Sequence, residues 1–421
     1  MEKIKMRILW VCNIVLPELC IEFGFKKVQV GGWLTGMWEL LRESSELELA
    51  VCIPIRDRNR MKDGSNLGYK YYSFPMVTEE SEIAVQKNRF IEIVADFKPD
   101  IIHIWGTEYF HSYSMVLACE ELNLLKKMIV NIQGLVSVYA KHYGYGLSEE
   151  TIKSGLMGKT IQDEIREFEQ RGKYEKIVIQ KVSHIIGRTE WDKACSTQIN
   201  HSLKYYTCGE ILRKSFYYYP EKWDFDKCKK YSIFVSQAGY PVKGFHLVLE
   251  TIAELTKQYQ ELQVYVAGTD ISKLNTRYGE YIREKIKEYH LEKVVCFVGM
   301  ISEEEMYRYY LKANVFLSAS TIENSSNSVC EAMMVGTPVV SSYVGGIPTI
   351  ITHGSSGFLY PLDAPYMMQY YIEQLFENRG LAIEISSKEK SRVEEYNNRD
   401  FIIKKMLEIY QIVNKGNFNK I

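Results

Sequence analysis

The chain has 421 residues, 46% hydrophobic and 25% charged, with a formal net charge of −1. That length asks for two domains of about 200 residues each, and the balance is that of a globular protein with no overall basic field to favour nucleic acid. Nine cysteines, odd in number and without paired C-x-x-C spacing, argue against a zinc or disulfide framework and for reduced thiols of a cytoplasmic protein. The apolar run that follows residues 1–7 is about six residues long, too short for a signal peptide, and no later run approaches the ~18 residues of a membrane span.

In chain order, Ile8 to Cys12 reads as a buried strand, and Val30-Gly31-Gly32-Trp33 precedes a helix over Leu34 to Glu43. A glycine pair at a helix entry lets backbone approach a ligand closely. Leu49 to Ile55 and Tyr69 to Phe74 are further strands, and Ala84 to Phe97 has helical spacing that stops before Pro99. Asp100 to Trp105 is a strand with His103 inside it as a core histidine. It runs into the polar stretch Gly106-Thr107-Glu108-Tyr-Phe-His111-Ser112. His111, placed on a loop, suits orienting a substrate hydroxyl or acid–base work, and equally suits capping or a surface position. Met128 to Gln133 is a strand, Thr151 to Gln180 a charged helix, and Val182 to Gly187 a strand that delivers Arg188. A guanidinium at a strand end fits a phosphate, with Asp192 as the competing internal partner.

Between residues 209 and 230 the periodicity lapses, and Ser215-Phe-Tyr-Tyr-Tyr219 reads as packing or as interfacial anchors. Alternation then resumes, with strands over Ser232 to Ser236, Gln263 to Ala267, Val294 to Val298 and Ala313 to Ser320. Helices alternate with them over His246 to Tyr259, Tyr278 to Tyr289 and Glu303 to Lys312, and a terminal helix includes Phe401 to Tyr410. Strands alternating with helices in both halves predict two doubly wound sheets. The stretch Thr321 to Glu331 lies beyond a strand's carboxyl end, where the ligand crevice of such sheets is found. Asn324, Ser325, Ser326, Asn327 and Ser328 then sit at a helix N-terminus suited to a diphosphate, and Glu323 and Glu331 can accept sugar and ribose hydroxyls. Ser328 and Glu331 also fit a capping box that would merely start the helix.

Glu323 and Glu331 in E-x7-E spacing, Glu331-Ala-Met, Gly336-Thr-Pro-Val-Val, Val344-Gly345-Gly346, Gly357-Phe-Leu and Lys243-Gly244 together resemble the retaining glycosyltransferases of the GT-B fold, family 4 (group 1) type. The resemblance implies an α/β protein whose two Rossmann-like domains face a cleft. Residues 1–215 would form the acceptor-binding domain and 216–395 the nucleotide-sugar domain, with a C-terminal helix of about 396–421 crossing back to the first. The implied reaction moves a hexose-type sugar from a nucleotide diphosphate donor, most simply a UDP-sugar, to an acceptor hydroxyl with retention. Glu323, Lys243 and His111 would be catalytic. Lys243 would bind the diphosphate, Glu331 the ribose, Glu323 the donor sugar and the amides of 325–328 a phosphate. Gly31 and Gly32 would lie near the phosphates, and Thr107, Glu108 and His111 at the acceptor side. No metal or other cofactor is implied, since no D-x-D pair adjoins the crevice.

The family's arginine five positions before the phosphate lysine is replaced by Ala238. Arg188, in a Gly187-to-Asp192 context that resembles bacterial polysaccharide glycosyltransferases, is the expected substitute in donor binding. The implied setting is cell-surface polysaccharide or glycoconjugate synthesis in the cytoplasm or at the inner face of the plasma membrane. A saccharide, glycolipid or protein would be the acceptor, with peripheral membrane contact where that acceptor is lipid-linked. The rival readings are another GT-B enzyme, of phosphorylase or epimerase type, and a silent nucleotide-sugar-binding scaffold subunit. A two-lobed small-molecule binding protein is the rival from outside the enzymes.

Overall fold

The structure, a computed structural model, describes residues 5–25, 31–155 and 158–418. Val30 of the glycine motif and residues 156–157 of the expected long helix lie outside the described residues. The chain divides into two compact units. One draws on Met1–Ser137, Glu169–Ile211 and Asn398–Ile421, the other on Val138–Phe168 and Leu212–Asn397.

The first unit is built on a parallel sheet of β1 (Met6–Val11), β2 (Leu47–Ile55), β3 (Lys70–Pro75), β4 (Ile101–Trp105), β5 (Met128–Asn131), β6 (His184–Gly187) and β7 (Lys204–Thr207), in the order β3-β2-β1-β4-β5-β6-β7. All five residues of β4 and all four of β5 are buried. Strands covered on both faces need continuous apolar runs, and that is why these were readable. The edge strand β7 is Lys-Tyr-Tyr-Thr, exposed or half-buried throughout, and carries no apolar run to announce it. The expected single helix over Thr151 to Gln180 is instead Glu149–Lys153 followed, after an interruption, by Ile161–Lys181.

The helix Arg399–Phe418 packs within this first unit, burying Ile402, Met406, Ile409, Tyr410 and Val413 as one helical stripe. The Tyr410 hydroxyl accepts the Trp10 Nε1–H at 3.0 Å and lies 2.7 Å from His103 Nδ1. His103 is thus a satisfied core histidine at Nδ1, and burial holds its pKa down at about 3.

The second unit holds β8 (Lys229–Val235), β9 (Gln263–Ala267), β10 (Val295–Gly299), β11 (Ala313–Ser318), β12 (Val339–Ser342) and β13 (Phe358–Tyr360), in the order β10-β9-β8-β11-β12-β13, all parallel. A complete capping box of Ser302 and Glu305 starts the helix Glu303–Lys312. Phe234, Tyr310 and Phe316 pack their rings together under the sheet. The tyrosine cluster is mostly packing. Phe216 is buried, Tyr219 stacks on Tyr307 at 4.0 Å and the Tyr217 hydroxyl donates to the Asn397 carbonyl, while Tyr218 is exposed. In each sheet the order reverses once, between β1 and β4 and between β8 and β11. These are the switch points at whose carboxyl ends such sheets bind ligands.

Candidate active site

In the second unit, the loops leaving β8 and β11 are fastened to each other at the switch point. The β8 loop ends in a short 3-10 turn, Pro241–Lys243, and then Gly244 at φ +67. A Cβ on Gly244 would stand 1.8 Å from the Ala319 carbonyl oxygen, so only glycine lets the two loops meet this closely. Thr321 N–H donates to the Val242 carbonyl at 2.8 Å. This registry brings Lys243 Nζ to 2.8 Å from Glu323 Oε2, which also accepts the Ser320 hydroxyl at 3.1 Å. A third loop, after β12, holds the Glu323 main chain: Gly346 N–H donates to the Glu323 carbonyl at 2.9 Å, and a Cβ on Gly345 (φ +49) would stand 2.0 Å from that oxygen. Three loops therefore converge on one residue, Glu323: two meet at its carboxylate and the third holds its main-chain carbonyl.

The helix Asn327–Val335 begins beside this pair. Its N-cap is Ser326, which makes no side-chain cap hydrogen bond, so the Ser328–Glu331 capping box allowed by the sequence does not form. The first amides of a helix have no partner inside it, and with the dipole they favour an anion. Asn324, Ser325 and Ser326 are buried against the loop, while Asn327 and Ser328 are half-buried. Glu331, in the second turn and 4% exposed, is held by a residue the sequence reading passed over. Arg213 Nε reaches Glu331 Oε1 at 2.7 Å and Arg213 Nη2 reaches Oε2 at 2.6 Å. Arg213 lies in the stretch without periodicity, and no spacing links it to Glu331. Burial pulls both the Lys243 ammonium and the Arg213 guanidinium down, but Glu323 and Glu331 more than offset it, so both lie above their ordinary values and stay charged. Ala238 is fully buried and its N–H donates to Gln237 Oε1.

The remaining expected residues belong to the first unit. Gly31, at φ +73, is the N-cap of the helix Gly32–Leu41, and a Cβ there would meet Ile14 Cδ1 at 1.8 Å. Thr107 donates to Glu175 Oε2 at 3.1 Å, and Glu175 also takes the Val136 and Ser137 amides and the Ser137 hydroxyl. Glu108 Oε1 accepts the Gly134 N–H at 3.1 Å, while its Oε2 is buried without a hydrogen-bond partner, as is Asn13 Oδ1. A Cβ on Gly106 would stand 2.1 Å from Glu108 Oε2 and 3.4 Å from Asn13 Nδ2, so both polar groups gather at the carboxyl end of the β1/β4 switch point. Burial pushes the Glu108 carboxyl up to about 7.

Two expectations need correcting. His111 is not on a loop: it lies in the first turn of the helix Phe110–Glu121, buried, with its ring 5.5 Å from Phe74. Burial lowers its pKa to about 3, which keeps the ring neutral. Arg188, expected at the donor phosphates with Asp192 as the competing partner, turns its guanidinium elsewhere. Asp192 Oδ2 accepts the Arg188 main-chain N–H, and the guanidinium, 3% exposed, goes to Glu210 and the Gln133 carbonyl.

Among the described residues no group of three or more His, Cys, Asp or Glu could hold a metal ion, and no helix is long and apolar enough to cross a membrane. Residues 218–397 match the family model for glycosyl transferases group 1. An amylovoran biosynthesis glycosyltransferase of Erwinia amylovora is 29% identical over 136 residues, 31% of this chain and 33% of that protein. The chain's matches span between 25% and 45% of the length of the first four curated relatives. Among solved structures, sucrose-phosphate synthase from Thermosynechococcus elongatus superposes with a TM-score of 0.73 at 16% identity, over 98% of this chain and 100% of that one. Anabaena HepE in complex with UDP and glucose superposes with a TM-score of 0.69 at 14% identity, over 96% and 99%. The chain has the GT-B fold of two Rossmann-like domains, and its second half is similar to glycosyl transferases group 1 over residues 218–397.

Proposed function

We propose that the protein is a retaining glycosyltransferase of family 4 type that moves a sugar from a UDP-sugar to an acceptor hydroxyl in the synthesis of a polysaccharide or glycoconjugate. The observation that carries this reading is the Lys243–Glu323 pair beside the uncapped N-terminus of the helix Asn327–Val335. The donor diphosphate takes the helix amides and Lys243. Lys243 then turns from Glu323 to phosphate, and Glu323 is released to accept hydroxyls of the donor sugar. As the anomeric bond breaks, charge grows on the leaving phosphate, where a fixed ammonium and fixed amides stabilise it without reorganising. The leaving phosphate helps take the acceptor proton, so no protein nucleophile is required. Glu331 receives the ribose. In the first unit, Glu108 and Asn13 offer buried polar atoms for an acceptor hydroxyl, while Arg188, held by Glu210, acts as a brace. UDP as the nucleotide and a polysaccharide setting are supported by the HepE complex and by the amylovoran glycosyltransferase. Membrane contact, if the acceptor is lipid-linked, is peripheral.

Ala238 favours a second reading, a silent nucleotide-sugar-binding subunit, because a cation expected at the diphosphate is missing there. One experiment separates the two: UDP release and product formation by the purified protein, with a panel of UDP-sugars and saccharide or glycolipid acceptors. Transfer with an α-linked product from an α-donor supports the first reading. Binding without turnover supports the second, and absence of UDP binding refutes both.

A further inference from the structure

We propose that Arg213 is a positioning residue that restricts Glu331 to reading one ribose hydroxyl of the donor rather than both. The proposal rests on the donor reading above, with Glu331 at the ribose. It follows from counting acceptor sites on a carboxylate whose surroundings are filled.

An ionised carboxylate offers about four lone-pair sites, two on each oxygen. The Arg213 fork takes one on Oε1 at 2.7 Å and one on Oε2 at 2.6 Å. The Tyr310 hydroxyl lies 3.3 Å from Oε2 and 3.1 Å from the Ser328 carbonyl. Whichever oxygen receives its single proton, the phenol oxygen occupies the second place beside Oε2. One place is left, on Oε1. The Glu331 side chain is 6% exposed, so little of the carboxylate is open to an incoming donor. Arg213 is itself fixed: its guanidinium stands 5.0 Å from the Phe216 ring centroid, and Phe216 is fully buried. A planar, bidentate partner sets the orientation of the carboxylate in a way an ammonium does not.

A ribose presents two adjacent hydroxyls. With the Arg213 fork intact only one finds an acceptor on Glu331, and losing it leaves a buried carboxylate oxygen short of a partner. The other hydroxyl contributes nothing there. Calorimetry with UDP, 2′-deoxy-UDP and 3′-deoxy-UDP reads this directly. In the wild type, one of the two deoxy nucleotides should bind about tenfold or more weakly than UDP, and the other within about threefold of it. Arg213→Lys keeps the charge and loses the fork, so the ratio between the two deoxy nucleotides should fall toward one. Arg213→Gln should lose the ratio and weaken UDP itself. A merely structural role for Arg213 would lower melting temperature in these variants and leave the ratio of affinities unchanged.

Equal losses for both deoxy nucleotides in the wild type would overturn the proposal, since the fork would then have to open for the diol. No loss for either would overturn it too. A wild-type ratio in Arg213→Lys would overturn the role given to Arg213. Should both variants fail to fold, the wild-type comparison alone decides. Failure of the wild type to bind UDP at all is a different result and strikes the donor reading beneath it.

Discussion

Replacing Gly345 by alanine should disable the proposed sugar transfer through the main chain of Glu323, without touching a charged group. The new Cβ would stand 2.0 Å from the Glu323 carbonyl oxygen and 3.3 Å from Ile322 Cδ1. Non-bonded heavy atoms sit about 3.5 Å apart, so the Glu323 backbone must retreat by about 1 Å or more. A left-handed φ of +49 adds about 1–2 kcal/mol for a residue with a side chain. The Gly346 N–H bond to the Glu323 carbonyl, worth about 1 kcal/mol, is lost or stretched. Together these predict a destabilisation of about 2–3 kcal/mol. A reacting-group displacement of ~1 Å can cost about a hundredfold in turnover. Gly354 is the control. It sits at φ +71 in the same unit with nothing within 4 Å of its ideal Cβ, so Gly354→Ala carries the backbone cost without the displacement. Urea denaturation and turnover of the preferred UDP-sugar should be measured on both variants. Turnover of folded Gly345→Ala within about threefold of wild type, with Gly354→Ala no different, would refute the claim that this contact places Glu323.

Lys243→Ala should lower UDP affinity and turnover together, each by about tenfold or more, because a charge-assisted bond to phosphate is lost in both ground and transition states; turnover falling at unchanged UDP affinity in calorimetry would contradict this. Tyr410→Phe strands the Trp10 N–H and alters His103 Nδ1, two buried groups at about 1–3 kcal/mol each, so urea denaturation should show a loss of about 2–6 kcal/mol, and a loss under ~0.5 would make the network dispensable. The His103 pKa is held at about 3 in the fold against about 6.5 unfolded. Its contribution to stability is therefore full above pH 6.5 and is lost as pH falls toward 3, by about 2 kcal/mol at pH 5. Glu108, with its raised pKa, works in the opposite direction, so the comparison is between wild type and His103→Asn: the variant should lack that share of acid sensitivity between pH 7 and 5, and identical pH slopes would contradict the prediction.

How far the sequence spoke depended on what each residue faced. The doubly wound sheets could be read because strands such as Ile101–Trp105 are buried on both faces and must be apolar throughout. Lys204–Thr207 could not, because an edge strand keeps polar residues and loses the signal. Glu323, Lys243 and the helix entry at Asn327 were visible as local motifs, since each motif lies within one loop. Arg213 was not, because its meaning comes from Glu331, 118 residues away, and no local pattern encodes a contact at that range. His111 and Arg188 were named correctly as polar residues near a sheet's functional end and misjudged in environment. Burial turned the first into a neutral helix residue and gave the second to Glu210.

The chain passes from one compact unit to the other at 137/138, 168/169, 211/212 and 397/398, so neither unit is a continuous piece of polypeptide. A fragment ending at residue 211 would lack Tyr410, and with it the partner of Trp10 and His103. A fragment of residues 212–397 would lack the Tyr145 carbonyl that lies 2.7 Å from His246 Nε2 and the His142 carbonyl that takes the Thr321 hydroxyl at 2.9 Å. That hydroxyl sits two residues before Glu323. Cutting this protein at its sequence midpoint would therefore yield two incomplete halves, and mixing them should restore the native fold only if the severed segments find their own sheets again. Gene truncations of this chain are best planned by what each segment packs against, not by where it falls in the count.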